Sequence, residues 1–227
     1  MLGIGNWFRI ISGLVFCKEY KMNEYAFIHI PKCAGMSIKK AIGNNPKFRI
    51  FDHGVIFNNI PKDLKQVVVI REPTERFTSA FFYVTQHYSK NTKYKDPEMF
   101  IQAVLEGQRE TCKVWRPQPH FHTLNGRRIA TDWVFQPQTD WVDNPYKIIL
   151  MENLDQGFRE LGVELSAGRV NQSRKREFKY SNSSLQYLWK NYERDYLLYN
   201  KVKKGDYESN HNWGNGTGWK PSCRPSP

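Results

Sequence analysis

Tyr25-Ala-Phe-Ile-His-Ile-Pro-Lys-Cys-Ala-Gly-Met-Ser-Ile38 decides the fold of this chain. Phe27, Ile28 and Ile30 make a short apolar run that reads as a buried strand. Pro31 ends it, because proline lacks the N–H that a ladder needs. Lys32 and Gly35 fill the break, and helix-compatible residues resume at Ser37. Strand, tight basic loop and helix is a phosphate-cradling geometry: backbone N–H groups converge, the helix N-terminus adds its dipole, and the lysine adds a full charge. A Walker A loop carries its lysine after the last glycine, whereas here Lys32 comes before Gly35.

A second stretch has matching form. Val67-Val-Val-Ile70 has the character of a central parallel strand and runs into Arg71-Glu-Pro-Thr-Glu-Arg-Phe-Thr-Ser-Ala-Phe-Phe-Tyr83. Pro73 suits the first turn of a helix, where its missing N–H costs nothing. Arg76, Ser79 and Tyr83 then share one helix face, while Phe77, Ala80, Phe81 and Val84 can face the sheet. Periodicity and breakers place strands at 25–30, 48–51, 67–71 and 146–151, and helices at 36–43, 73–88, 97–106, 153–162 and 182–203. That alternation argues for one α/β domain with a central parallel sheet flanked by helices. The span from Gly107 to Asn144, with Pro117, Pro119 and Pro137, reads as a functional loop or as short helices.

The two loops together resemble the carbohydrate sulfotransferase family that includes heparan sulfate 2-O-sulfotransferase, whose sulfonate donor is 3′-phosphoadenosine 5′-phosphosulfate (PAPS). The resemblance runs from about Tyr25 to Lys204 by motif order. It implies a P-loop-NTPase-like three-layer fold and no metal. It also implies a 5′-phosphosulfate site at Pro31, Lys32, Cys33, Ala34, Gly35, Met36 and Ser37, with Arg71 and Ser79 on the 3′-phosphate. Glu72 stands where the family usually has Asp or Asn, and Cys33 where it often has Thr. Tyr146–Met151 with Glu152-Asn-Leu resembles the third core strand and its helix, and Tyr192–Tyr196 the terminal helix. Arg169-Val-Asn-Gln-Ser-Arg174 resembles the loop that closes over the nucleotide, which implies cofactor contacts from Ser173 and Arg174. Gln136-Pro-Gln138 resembles a segment that often begins with His four residues before its last Gln; Val134 holds that place here.

Sulfonate transfer needs a cation at the leaving phosphate, for which Lys32 is the candidate, and a base for the acceptor hydroxyl. His53, in Phe51-Asp-His-Gly-Val-Ile56, lies between the two cofactor motifs, where the heparan sulfate enzyme has its catalytic histidine. A loop after a short parallel strand also delivers a side chain to the ligand-binding edge of a sheet. His29 reads as out of phase with Phe27 and as a structural histidine. His120 and His122, in Arg116-Pro-Gln-Pro-His-Phe-His122, are the alternative bases; their spacing suits a metal pair, but no third ligand accompanies them. Arg116, His120, His122 and Trp133 are the acceptor-binding candidates. With Arg127 and Arg128 they suit a sugar bearing acidic groups, and suit a solvated loop as well.

Lysine and arginine number 34 against 22 acidic residues, a formal net charge of +12. Such an excess draws polyanions, whether a charged nucleotide, an acidic glycan or RNA. The cysteines are Cys17, Cys33, Cys112 and Cys223, and they form no metal or disulfide pattern. Cys33 reads as a small filler of its loop rather than a reactive thiol. The apolar stretch from Ile4 to Phe16 is too short and interrupted to span a bilayer, although a weak surface helix fits it. Eukaryotic relatives are often held in the Golgi by an N-terminal anchor, so its lack is read as a cytoplasmic protein of a microbe or virus. Residues 1–24 read as an entry segment, 25–205 as the sulfotransferase domain and 206–227 as a flexible tail. The expected partner is a hydroxyl-bearing glycan or glycoconjugate, with no nucleic acid and no stable membrane anchor. A small-molecule kinase is the nearest enzyme rival, but it should show a Walker A loop and a magnesium-binding Asp after a strand. A non-catalytic basic RNA-binding protein is the rival from another class.

Overall fold

The computed structural model describes residues 10–11, 14–15, 23–52, 60–87, 94, 96–105, 122–124, 127–129, 134–142, 144–165 and 178–207. Its strands are β1 (Ile10–Ile11), β2 (Leu14–Val15), β3 (Tyr25–Ile28), β4 (Phe48–Phe51), β5 (Lys65–Ile70), β6 (His122–Leu124), β7 (Arg127–Ile129) and β8 (Lys147–Leu150). Its helices are α1 (Gly35–Ile42), α2 (Pro73–His87), α3 (Pro97–Leu105), α4 (Leu154–Arg159) and α5 (Asn182–Lys204). Four strands form one all-parallel sheet in the order β4-β3-β5-β8. Ala26, Phe27, Ile28 and Val67 to Ile70 are buried without alternation, as expected of parallel strands covered on both faces.

Tyr25 pairs with Lys65, so β5 begins two residues before the apolar run that announces it. β3 ends at Ile28, opposite Phe51 of β4 and Val68 of β5, rather than running to residue 30. Helix positions agree with the periodicity at 73–87, 97–105 and 182–204 to within a residue. In the N-terminal segment, which a weak surface helix also fitted, Ile10–Ile11 and Leu14–Val15 pair as antiparallel strands, in keeping with β-branched residues preferring extended backbone. Within 107–144 the described residues form the antiparallel β6–β7 pair and a 3-10 turn at Gln138–Trp141. The tail beyond Tyr207 lies outside the described residues.

Two packed layers cover the sheet. Phe77, Ala80 and Phe81 of α2 are buried, and Phe77 meets Phe135, Phe100 and Tyr192, so α2, α3 and α5 share one aromatic core. Phe158 of α4 meets Phe27 of β3, and Gly157 lies so close that a Cβ would stand 2.5 Å from Ile149. The β3-α1-β4 crossover moves one way along the sheet, and the connection through α2 to β8 moves the other. Right-handed crossovers in opposite directions place α1 and α2 on opposite faces. The arrangement is compatible with a three-layer α/β/α fold. Among the described residues no helix is long and apolar enough to cross a membrane.

Candidate functional site

β3 and β5 are neighbours, yet the chain leaves β3 toward β4 and β5 toward β8. The carboxyl ends of that pair are therefore a topological switch point, the place where open parallel sheets bind ligands. The loop 31–34 leaves β3 there, and Arg71 leaves β5.

The loop takes its shape from two left-handed residues, Lys32 (φ 66°) and Ala34 (φ 58°). Neither is glycine, and each costs of order 1–3 kcal/mol, the kind of strain that collects at ligand sites. Left-handed residues turn successive N–H groups toward one side and make a concave anion nest. Ala34 is the N-cap of α1, and its carbonyl accepts from the N–H groups of Ser37 and Ile38. Among the described residues nothing accepts from the N–H groups of Lys32, Ala34, Gly35 or Met36. Gly35 is demanded by its neighbour, since a Cβ there would stand 1.7 Å from the His29 ring.

Lys32 is half-buried, with its Nζ 4.2 Å from the centre of the Tyr83 ring. Desolvation first, then the nearby Arg71 charge and, to the smallest extent, that of Arg76 push its pKa down to about 8. A cation stripped of water beside two others is an anion receptor. Arg71 is half-buried and forms two hydrogen bonds to Glu75 Oε2, at 3.2 and 3.1 Å. Glu72 caps the start of α2 by accepting from the Glu75 N–H at 2.7 Å. Ser79 is half-buried, three residues after Arg76 and four before Tyr83. That helix face turns to the loop, because Arg76 reaches the Pro31 carbonyl and Tyr83 underlies Lys32.

Sequence reasoning missed the residues that hold these parts together. Arg76 is only 1 % exposed, and it donates to the carbonyls of Pro31 and Val134, both at 3.1 Å. The buried Gln138 side chain bonds to the Arg71 backbone and to the Cys33 thiol. Asp195 is also buried and accepts from Gln138 and Thr139. Burial pushes its carboxyl above the usual range, against the pull of Arg76 and of those hydrogen bonds. One signal for Asp195 was present: it follows Leu188 and Tyr192 at helical spacing, a carboxylate on the buried stripe of α5.

Burial also raises the Cys33 thiol to about 11, which makes it a filler of the loop and a poor nucleophile. His29 departs from its expected phase, because its ring stacks alongside Phe27 at 6.4 Å on the same side of β3. Residues two apart in a strand share a face. It is nonetheless held structurally, with Nδ1 3.0 Å from Asp52 Oδ1, and desolvation lowers its pKa in spite of that partner. Lys39 donates to both oxygens of the same carboxylate, at 2.8 and 2.6 Å.

His53, Arg116, His120, Trp133, Ser173 and Arg174 lie outside the described residues. His122 is placed in β6 opposite Ile129, with Arg127 and Arg128 in β7. Among the described residues no cluster of three or more His, Cys, Asp or Glu is arranged to hold a metal. No protein-family model, curated protein or solved structure matches this chain.

Proposed function

We propose that the chain is a PAPS-dependent sulfotransferase of P-loop-like architecture that moves a sulfonate to a hydroxyl, with a carbohydrate as acceptor. The observation that carries this reading is the strained basic loop at the switch point, with Lys32 and Arg71 side by side on adjacent strand ends. The residues fit such a donor: free N–H groups and Lys32 suit the 5′ end, and Arg71 with Ser79 suits the 3′-phosphate.

When bound, PAPS supplies the sulfonate and departs as adenosine 3′,5′-bisphosphate. Lys32 would hold the 5′-phosphosulfate end and would offset the negative charge that grows on the leaving phosphate. The anionic ligand draws its ammonium back toward full protonation. Arg71, which bonds to Glu75 here, would hold the 3′-phosphate, a group with more charge and more acceptor oxygens than a carboxylate. The loop from Pro31 to Ser37 would wrap the 5′ end, with the backbone N–H groups of Lys32, Ala34, Gly35 and Met36 as its donors. His53 takes the acceptor proton; its place follows Asp52, whose carboxylate His29 and Lys39 hold at the end of β4.

The test is a thermal-shift comparison of adenosine 3′,5′-bisphosphate with ATP and AMP. A ligand at about 100 times its dissociation constant stabilises by roughly 2.7 kcal/mol. Preference for the bisphosphate supports the reading. Preference for ATP points to a kinase. No response to any of the three, with salt-sensitive RNA binding, points to a nucleic-acid role.

A further inference from the structure

The polar contacts at the end of β5 converge on a side chain that the proposed chemistry does not use. Gln138 is 1 % exposed. Its Oε1 accepts from the Arg71 N–H at 2.7 Å and from the Cys33 thiol at 3.1 Å, and its Nε2 donates to the Arg71 carbonyl at 2.8 Å. The β5–β8 ladder ends at the Ile70–Leu150 pair. Arg71 is thus the first residue past the sheet, and the Gln138 amide supplies the donor and acceptor that another strand would have supplied. The thiol contact ties the same amide to the loop after β3. Gln138 is fixed in turn by α5: its N–H donates to Asp195 Oδ2 at 2.7 Å, and the Thr139 N–H and hydroxyl donate to Asp195 Oδ1 at 2.9 and 3.0 Å.

We propose that Gln138 is a positioning residue that sets the separation of Lys32 and Arg71, with Asp195 holding it in place. Selectivity for a ligand with two separate anionic groups is then fixed by a side chain that touches neither group. The inference rests on reading the two loops as the ends of one bisphosphate site, and deepens that reading. Lys32 and Arg71 repel each other across the crevice, so a neutral tie is needed to keep their loops together. A primary amide pairs with the N–H and the C=O of one residue at once; a carboxylate lacks the donor and a hydrocarbon lacks both.

Two variants and two readouts test this. Gln138→Met keeps the approximate volume and removes the bridge, while Asp195→Asn keeps one acceptor oxygen. The readouts are the calorimetric affinity for adenosine 3′,5′-bisphosphate relative to AMP, and the titration of Lys32 followed by NMR of its Cε–Hε group without ligand. Gln138→Met is expected to lose about tenfold or more of the bisphosphate preference while AMP affinity stays within about twofold. The Lys32 titration should move up from about 8 toward the ordinary 10.5. Asp195→Asn should move both readouts the same way by less. A folded Gln138→Met with unchanged preference and unchanged titration overturns the proposal. Equal loss of both nucleotides with Lys32 unmoved overturns it too, because that is general destabilisation. A wild-type protein without bisphosphate preference defeats the functional reading instead, and the Lys32 titration alone then decides the positioning role. Should Gln138→Met fail to fold, Asp195→Asn carries the same criteria.

Discussion

Replacing Lys32 by Met should make the protein more stable and less capable at once. The ammonium is held at about 8, against 10.5 for an ordinary lysine, by lost hydration and by the Arg71 and Arg76 charges. A folded-state value below the unfolded one means that the unfolded chain binds more protons between those two pH values. Stability therefore rises with pH across that window, and below about pH 8 the charged Lys32 costs the folded state its full penalty. At about 1.4 kcal/mol per pH unit the gap sets an upper limit of roughly 3 kcal/mol. Lys32 is half-buried rather than sealed, so solvent screening reduces this to about 1–2 kcal/mol. Met keeps an apolar stem against Tyr83 and carries no charge. Urea unfolding at pH 7 should show Lys32→Met more stable by that amount, with the advantage shrinking between about pH 8 and 10.5. In the same variant, turnover under saturating PAPS should fall about 10²–10³-fold, the scale for deleting one preorganised electrostatic contact. A variant no more stable than wild type at pH 7, or with the same difference at pH 7 and pH 10.5, would refute the claim that Lys32 is held as a stressed cation.

Arg71→Ala should weaken adenosine 3′,5′-bisphosphate by about 10–100-fold, and adenosine 5′-phosphosulfate far less, since a charge-assisted hydrogen bond is worth roughly 1.5–3 kcal/mol; equal losses by calorimetry would mean that Arg71 does not read the 3′ end. Gly35→Ala should cost about 1–3 kcal/mol in denaturant unfolding by driving a methyl into the His29 ring, and Gly35→Ala with His29→Ala should regain part of it; a neutral single variant would show that the ring swings aside freely. His53→Ala should lose about 10²–10⁴ in rate together with the histidine limb of the pH–rate profile, leaving PAPS affinity alone. If His120→Ala or His122→Ala loses that limb instead, the base lies in the segment from Arg116 to His122.

The parts of the site made by local chemistry were legible in the sequence. Pro31 keeps the chain from resuming a strand after β3 ends at Ile28, Gly35 and Lys32 mark a basic loop by their order, and Pro73 opens α2 because an N–H is dispensable there. The apolar runs at 27–28 and 67–70 set burial on both faces, and with it a parallel sheet. Strand order, however, depends on which edge each crossover reaches, and only the folded chain places β3 beside β5 so that Lys32 and Arg71 meet. A helical wheel puts Arg76 on a face with Ser79 and Tyr83, and only its two carbonyl partners make it an anchor. His29 shares a face with Phe27 and comes to rest under Gly35, so the glycine of the basic loop also makes room for a ring. The ties through Gln138 and Asp195 join residues 67, 105 and 57 positions apart. Such distances carry no local periodicity, and a buried amide or carboxylate acquires its role only once the chain has brought its partners within hydrogen-bond reach.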